Sequence, residues 1–170
     1  MVWIPAHLLP YKERAEMRTD QGDFWWELRA CDYYKVFQES KIIYQKFQVK
    51  PCFIYDESGL YCNDSMWIIP GNNKFLFGLL NSKMGWWLIS KYCTAIQNGN
   101  QLVWKYFGQI PIPTGNELLE ESIKLIVDQI LSIKRNDKAP VTTILESEID
   151  KLVYQLYGLS EEEIKIVEVL

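Results

Sequence analysis

Glu39, Ser40 and Lys41 stand in the E-x-K spacing of metal-dependent nucleases, with Asp20, Asp23 and Asp32 upstream. In such a site two carboxylates hold Mg²⁺ while the lysine offsets charge developing on a phosphate. A chain with 22 acids and 18 bases also produces this tripeptide without function, as a solvated Glu39 ahead of a strand beginning at Lys41. The single histidine, His7, would have to serve any Ser-His-Asp or Cys-His arrangement, and no Gly-x-Ser-x-Gly turn accompanies it. Nine glycines are scattered with neither GxGxxG nor GxxxxGK[ST], which argues against nucleotide and dinucleotide chemistry.

The elements that must position any site come from a 170-residue chain of 48% hydrophobic and 24% charged residues, enough for one domain with a core or a domain with an appendage. Aromatics reach 14%, including 7 tryptophans. The net charge of −4 hides a gradient: residues 1–113 carry 12 bases against 10 acids, and residues 114–170 carry 6 against 12. We therefore expect an α/β domain over 1–113 and an acidic helical appendage over 114–170. Cys31, Cys52, Cys62 and Cys93 form no CxxC pair, so they are expected to be buried, reduced thiols of a cytoplasmic protein and not zinc ligands. The most apolar stretch, 75–89, is interrupted by Asn81, Ser82 and Lys83 and is too short for a membrane span.

Local pattern predicts a helix within 6–18, an extended or strand segment at 24–28, and a helical turn at 32–37 capped by Asp32. Strands follow at 41–47, 52–55, 60–62 and 65–69, with 56–59 as the hairpin turn between the second and third. A single buried helix is expected from Lys74 to about Tyr92, with Leu76, Leu80, Met84 and Trp87 on one stripe. A polar loop over 95–101, a strand over 102–107 and an extended Gln109–Pro113 complete the front part. Beyond it, Leu119, Ile123, Ile126, Ile130 and Ile133 recur at heptad spacing, as do Leu145, Ile149, Leu152 and Leu156. Thr143 with Glu146 and Ser160 with Glu163 read as capping boxes, and Gly158 as a helix stop. The fold class is thus α+β: a small antiparallel or mixed sheet packed with a buried helix, then a C-terminal helical hairpin.

Trp26-Glu27-Leu28-Arg29, Lys41-Ile42-Ile43-Tyr44-Gln45, the segment 55–69, Leu79–Lys83 with Trp86-Trp87-Leu88, and Ile110–Pro113 follow one another at characteristic intervals, with Leu145–Leu159 and Glu161–Ile164 in the tail. In these segments the sequence resembles the TaqI-like C-terminal specificity domain of bacterial type II restriction–modification N6-adenine DNA methyltransferases. The resemblance implies a target recognition domain that reads a short double-stranded DNA sequence for a methyltransferase domain, with a fused endonuclease in some members. The methyltransferase's Asn/Asp-Pro-Pro-Tyr/Phe motif does not occur in this sequence. The chain is therefore expected to be a specificity piece that catalyses nothing itself. It should hold no cofactor, with S-adenosylmethionine on a methyltransferase domain of the same or a partner chain.

A net acidic chain binds DNA only if its bases gather on one face. Lys35, Lys41, Lys46, Lys50, Lys74, Lys83, Lys91 and Lys105 supply them in the front part, while the acidic tail points away. The residues expected to touch DNA are Lys41, Gln45, Lys46, Lys50, Asn63, Ser65, Lys74, Asn98, Asn100 and Gln101. Their amides and hydroxyls suit base edges, and their ammonium groups suit phosphates or guanine. Asn72-Asn73 after Pro70-Gly71 is read as turn chemistry. The competing readings are the Glu39/Lys41 nuclease and a helical protein–protein interaction module built on the tail.

Overall fold

The computed structural model describes residues 6–29, 33–137 and 141–169. They fall into two compact units that divide between Val36 and Phe37. In the first, a 3-10 turn (Ala6–Tyr11) with Pro10 inside it leads into a short helix α1 (Lys12–Glu16). The 24–28 segment is a turn and not a strand. Glu27 N–H returns to the Phe24 carbonyl at 2.9 Å, and the Arg18 guanidinium donates to the carbonyls of Trp25 and Glu27 at 3.1 and 2.9 Å. A 3-10 turn spans Tyr34–Gln38, and its expected cap, Asp32, lies outside the described residues.

The second unit is built on β1 (Lys41–Gln45), flanked antiparallel by β3 (Phe53–Asp56) and β4 (Met66–Pro70). Alternation along β1 sends Ile42 and Tyr44 into the main core with Phe53, Tyr55, Phe75 and Leu79. Lys41 and Ile43 face the other side, and all four residues are buried. Residues 60–62, expected as a strand, form none, because the Asp56 carboxylate takes the donors that a hairpin ladder would use. It accepts the Ser58 N–H at 3.0 Å, the Ser58 hydroxyl at 2.6 Å and the Leu60 N–H at 3.0 Å.

The expected single helix over 74–92 is two: α2 (Lys74–Asn81) and α3 (Lys83–Tyr92). Ser82 breaks it with an extended ψ of 163°, and its side chain accepts the Gly85 N–H as the N-cap of α3. The break resets the helical phase, so α2 buries Phe75, Leu79 and Leu80 while α3 buries Met84, Leu88 and Ile89; Leu76 and Trp87 stay half-buried. Gly85 permits the bend, since a Cβ there would sit 2.2 Å from the Leu79 carbonyl oxygen. Of the two asparagines expected to shape the turn, Asn73 caps α2, while Asn72 reaches across to β3 and accepts the Tyr55 hydroxyl at 2.5 Å.

Two further expectations are corrected between α3 and Pro113. Residues 94–101 are a hairpin and not a polar loop: β5 (Thr94–Ile96) and β6 (Gly99–Gln101) pair across Gln97-Asn98, and β6 also pairs with β2 (Phe47–Gln48). Residues 102–107 are not a strand, because Val103 turns the chain into helix α4 (Trp104–Phe107), whose Phe107 enters the core.

The C-terminal segment forms α5 (Glu117–Asn136), α6 (Thr143–Tyr157) and α7 (Glu161–Glu168). α5 and α6 make the expected hairpin and pack on α2, so Ile123, Val127, Ile130, Ile149 and Val153 join the main core. Ser160 and Glu163 form the expected capping box, and Gly158 closes α6 at φ 65°. Thr143 and Glu146 do not form one. The helix begins one residue earlier than that box requires, at the N-cap Thr142, whose hydroxyl bonds the Glu146 carboxylate at 2.7 Å. Of the cysteines, only Cys93 is buried among the described residues, where burial pushes its thiol up to about 11; Cys52 is exposed and Cys62 half-buried, because both lie in loops. No helix among the described residues is long and apolar enough to cross a membrane.

Lys41→Met alone leaves Asp56 charged and unpaired in the interior and should cost about 3–5 kcal/mol in urea unfolding, whereas Lys41→Met with Asp56→Leu should come close to wild type. Gly85→Ala should destabilise by more than the usual exposed-helix change, on the order of 2 kcal/mol, because backbone must move.

Acid should act on the same pair. Burial alone would raise the Asp56 carboxyl, but Lys41, the Ser58 hydroxyl and two backbone amides outweigh it and hold the group well below the usual carboxylate range. A lowered folded value means stability present above the unfolded value of about 3.9 and lost as pH falls through the folded one. Acid unfolding below about pH 4 should therefore be steeper in wild type than in the double variant.

Candidate nucleic-acid interface

The lysines expected on a DNA-binding face differ in what each one meets. Lys41 is fully buried. Its ammonium lies 2.5 Å from Asp56 Oδ2 and 2.5 Å from the Phe37 carbonyl. It can reach neither a phosphate nor a metal-bound substrate, which corrects both the DNA-contact expectation at Lys41 and the E-x-K reading. Its approach to Glu39 is only to the backbone carbonyl, at 3.5 Å. Among the described residues, no three His, Cys, Asp or Glu side chains gather to hold a metal ion.

Lys74 is likewise committed. It pairs with Asp128 at 2.6 Å and lies 4.0 Å from Glu57 and 5.6 Å from the Tyr55 ring centroid. Lys83 pairs with Glu168 at 3.0 Å, Lys134 with Glu146 at 3.3 Å, and Arg135 with Glu57. Lys74 and Lys83 thus face the C-terminal helices, Lys134 and Arg135 stand on one of them, and the positive charge of all four is cancelled locally. Lys74 is therefore also withdrawn as a DNA contact.

Four others have aromatic neighbours or none. Lys46 lies over the Trp67 ring at 5.9 Å, Lys91 over Trp87 at 5.2 Å and Lys105 over Tyr106 at 5.4 Å. Lys50 is exposed, and none of these four has an ion-pair partner among the described residues. An aromatic face orients an ammonium group without cancelling its charge, at a stabilisation of about 0.5–1 kcal/mol that a phosphate readily replaces.

All four flank the small sheet ordered β2-β6-β5. Lys46 and Lys50 bracket β2, Lys91 precedes β5, and Lys105 follows β6. Thr94, Ala95, Ile96, Gln97 and Asn98 are all exposed, so the β5–β6 ribbon presents β5 and its polar tip as the outer edge of the three-stranded sheet, with β6 covered by β2 on its other side. Phe47, Val49, Trp104 and Tyr106 add exposed apolar surface beside it. The ribbon is tied down where Leu102, fully buried, donates its N–H to the Lys46 carbonyl at 2.7 Å. Gly99 lets β6 reach β2, since a Cβ there would fall 2.0 Å from the Gln48 carbonyl oxygen. Gln48, buried, accepts the Cys52 N–H at 3.1 Å and so shapes the turn that carries Lys50.

The remaining expected readers distribute around this ribbon. Gln45 is exposed at the end of β1, Asn98 is exposed at the ribbon tip, and Gln101 is half-buried in β6. Asn63 and Ser65 are exposed in a turn where Asn63 Oδ1 accepts the Ser65 N–H and hydroxyl at 3.2 and 2.6 Å; the Ser65 carbonyl in turn accepts the Lys46 N–H at 3.2 Å. Asn100 is corrected: it is only 6% exposed, at the centre of β6 between Gln48 and Ala95, and faces inward. Asp56 and the β5 strand were missed in the sequence. The signal for the strand was there, two short runs around a two-residue Gln97-Asn98 connection.

No curated protein matches the chain significantly. The tail segments that carried part of the resemblance, 145–159 and 161–164, lie outside the family match. Over residues 10–112, more than half its length, the chain matches the model of the TaqI-like C-terminal specificity domain, and it belongs to that family of target-recognition domains of restriction–modification enzymes.

Proposed function

We propose that this chain reads a short double-stranded DNA sequence through the β5–β6 ribbon and the Asn63–Ser65 turn, with Lys46, Lys50, Lys91 and Lys105 on the flanking phosphates. β-sheet readers place strands in a DNA groove, and amide side chains such as Gln97 and Asn98 present the donor–acceptor pairs that distinguish adenine. The observation that carries the reading is the contrast between two sets of front-part lysines: acids cancel Lys74 and Lys83 beside the C-terminal helices, while Lys46, Lys50, Lys91 and Lys105 near the ribbon keep their charge.

In this reading the partner is the methyltransferase domain of an N6-adenine restriction–modification enzyme, on the same or another chain. S-adenosylmethionine binds there, and this chain contributes sequence recognition without catalysis. The division at Pro113 is then functional. The front part recognises DNA, and the acidic helices brace it against the catalytic part, a role supported by the family match ending at residue 112.

The salt dependence of duplex binding tests the proposal. Removing one lysine from a phosphate should reduce the slope of log K against log salt by about 0.9. Lys46→Gln, Lys50→Gln and Lys105→Gln together should flatten it by about 2–3 and weaken binding to all duplexes alike. Lys74→Gln, removing an already neutralised base, should leave the slope unchanged. Fluorescence anisotropy with a labelled duplex reads both, and equal effects from the two sets would remove the ribbon as the binding face.

A further inference from the structure

The segment between β3 and β4, residues 57–65, contains no helix or strand, yet it carries Asn63 and Ser65. A segment that discriminates bases has to be ordered before it binds, or the entropy of ordering is subtracted from the discrimination. Its end is stitched to the ribbon through the Ser65 carbonyl and the Lys46 amide. Its middle is held by Tyr61 stacked on Phe37, with ring centroids 4.9 Å apart. Its start hangs on one carboxylate: Asp56 accepts from the Ser58 amide and hydroxyl and from the Leu60 amide.

That carboxylate is itself fixed by Lys41, directly across the β1–β3 register, and Lys41 by the Phe37 carbonyl. A buried ion pair gives little net stability over two apolar side chains of similar volume, so stability alone does not account for a lysine and an aspartate at these positions. What apolar residues could not supply is an acceptor for the loop's amides. Ser58 and Leu60 are exposed, so without that acceptor they would turn to water and release the loop while the sheet stayed intact.

We propose that Lys41 and Asp56 are positioning residues for base recognition. They touch no DNA, and through Ser58 and Leu60 they hold the 57–65 loop so that Asn63 and Ser65 stand beside Lys46 at the ribbon's edge. With Asn63 Oδ1 engaged by Ser65, its amide nitrogen remains the donor available to a base acceptor. The inference rests on the DNA-reading function proposed above and assigns part of its specificity to a pair at the opposite end of β1 from Lys46.

The test uses the whole chain and two variants: Lys41→Met with Asp56→Leu, and Leu60→Pro, which deletes one loop amide and leaves the ion pair whole. Selection from a randomised duplex pool defines the preferred duplex; affinities for it and for a scrambled duplex are then compared at one salt concentration, and hydrogen exchange is followed across 57–65. The double variant should keep its affinity for scrambled duplex within about twofold, since the phosphate contacts are untouched. It should lose roughly tenfold in preference for the selected duplex and exchange the loop amides at least tenfold faster. Leu60→Pro should move both readouts in the same direction by less. Unchanged exchange would show that the pair does not hold the loop, and faster exchange with unchanged preference would show that the loop does not read bases; either overturns the inference. A wild-type chain that binds no duplex would overturn the DNA-reading function and the specificity role with it, whereas binding without loss of preference in the variants would overturn the positioning role alone.

Discussion

The interior charge pair between Lys41 and Asp56 constrains the rest of this fold. Removing two charges from water costs several kcal/mol each, and the cost is offset only if every remaining donor and lone pair finds a partner. The chain meets that condition with the Phe37 carbonyl on the lysine and with Ser58 and Leu60 on the aspartate. Those partners dictate where the turn before β1 and the loop after β3 must run. Because side chains alternate along β1, the same strand that presents Ile42 and Tyr44 to the helices presents Lys41 to this second layer. One strand therefore serves as the wall of the apolar core and as the post for a polar loop.

The acidic tail has a similar double use. Its helices bury Ile123, Val127, Ile149 and Val153 against α2, which requires them to lie close to the lysines of the front part. Asp128 and Glu168 then meet Lys74 and Lys83, and the Asp150 carboxylate accepts the Lys83 amide at 2.8 Å at the start of α3. Exposed pairs of this kind add little to stability. Their larger effect is on the field around the molecule, because they cancel positive charge on one side and leave that of the ribbon lysines uncompensated. A chain of net charge −4 can thus offer a positive edge to a polyanion.

How far this was legible in the sequence depends on the range of the interactions. The α+β class, the strand beginning at Lys41, the Ser160–Glu163 box and the Gly158 stop are set by residues within a few positions of one another, and pattern sufficed for them. The break at Ser82 was hidden because residues 74–92 keep a helical spacing of apolar side chains straight through it. Only the close approach of Gly85 to the Leu79 carbonyl reveals why the chain bends there. The candidate site was half legible. Lys46, Lys50 and Asn98 lie at least partly exposed around the small sheet, but nothing local distinguishes Lys41 or Lys74 from Lys46. Whether a lysine meets Asp56, Asp128 or the face of Trp67 is decided by strand register and helix packing across many residues.

The β5–β6 hairpin buries no apolar side chain of its own two strands. β5 is exposed along its whole length, and the interior side of this small sheet is lined by Gln48 and Asn100, which bury amide groups where a core would use apolar ones. Such a sheet gains little from the hydrophobic effect and has to be located by backbone contact instead: Leu102 to Lys46, and β6 drawn against Gln48 at a distance that only a glycine at 99 permits. β5, exposed along its length at the outer edge of that sheet, can rearrange its side chains without disturbing the apolar core. The core is built by β1, β3, α2, α3 and the C-terminal helices, and Cys93 and Leu102 anchor the two ends of the hairpin in it, so the small sheet is fixed at its root while its outer strand lies on the surface.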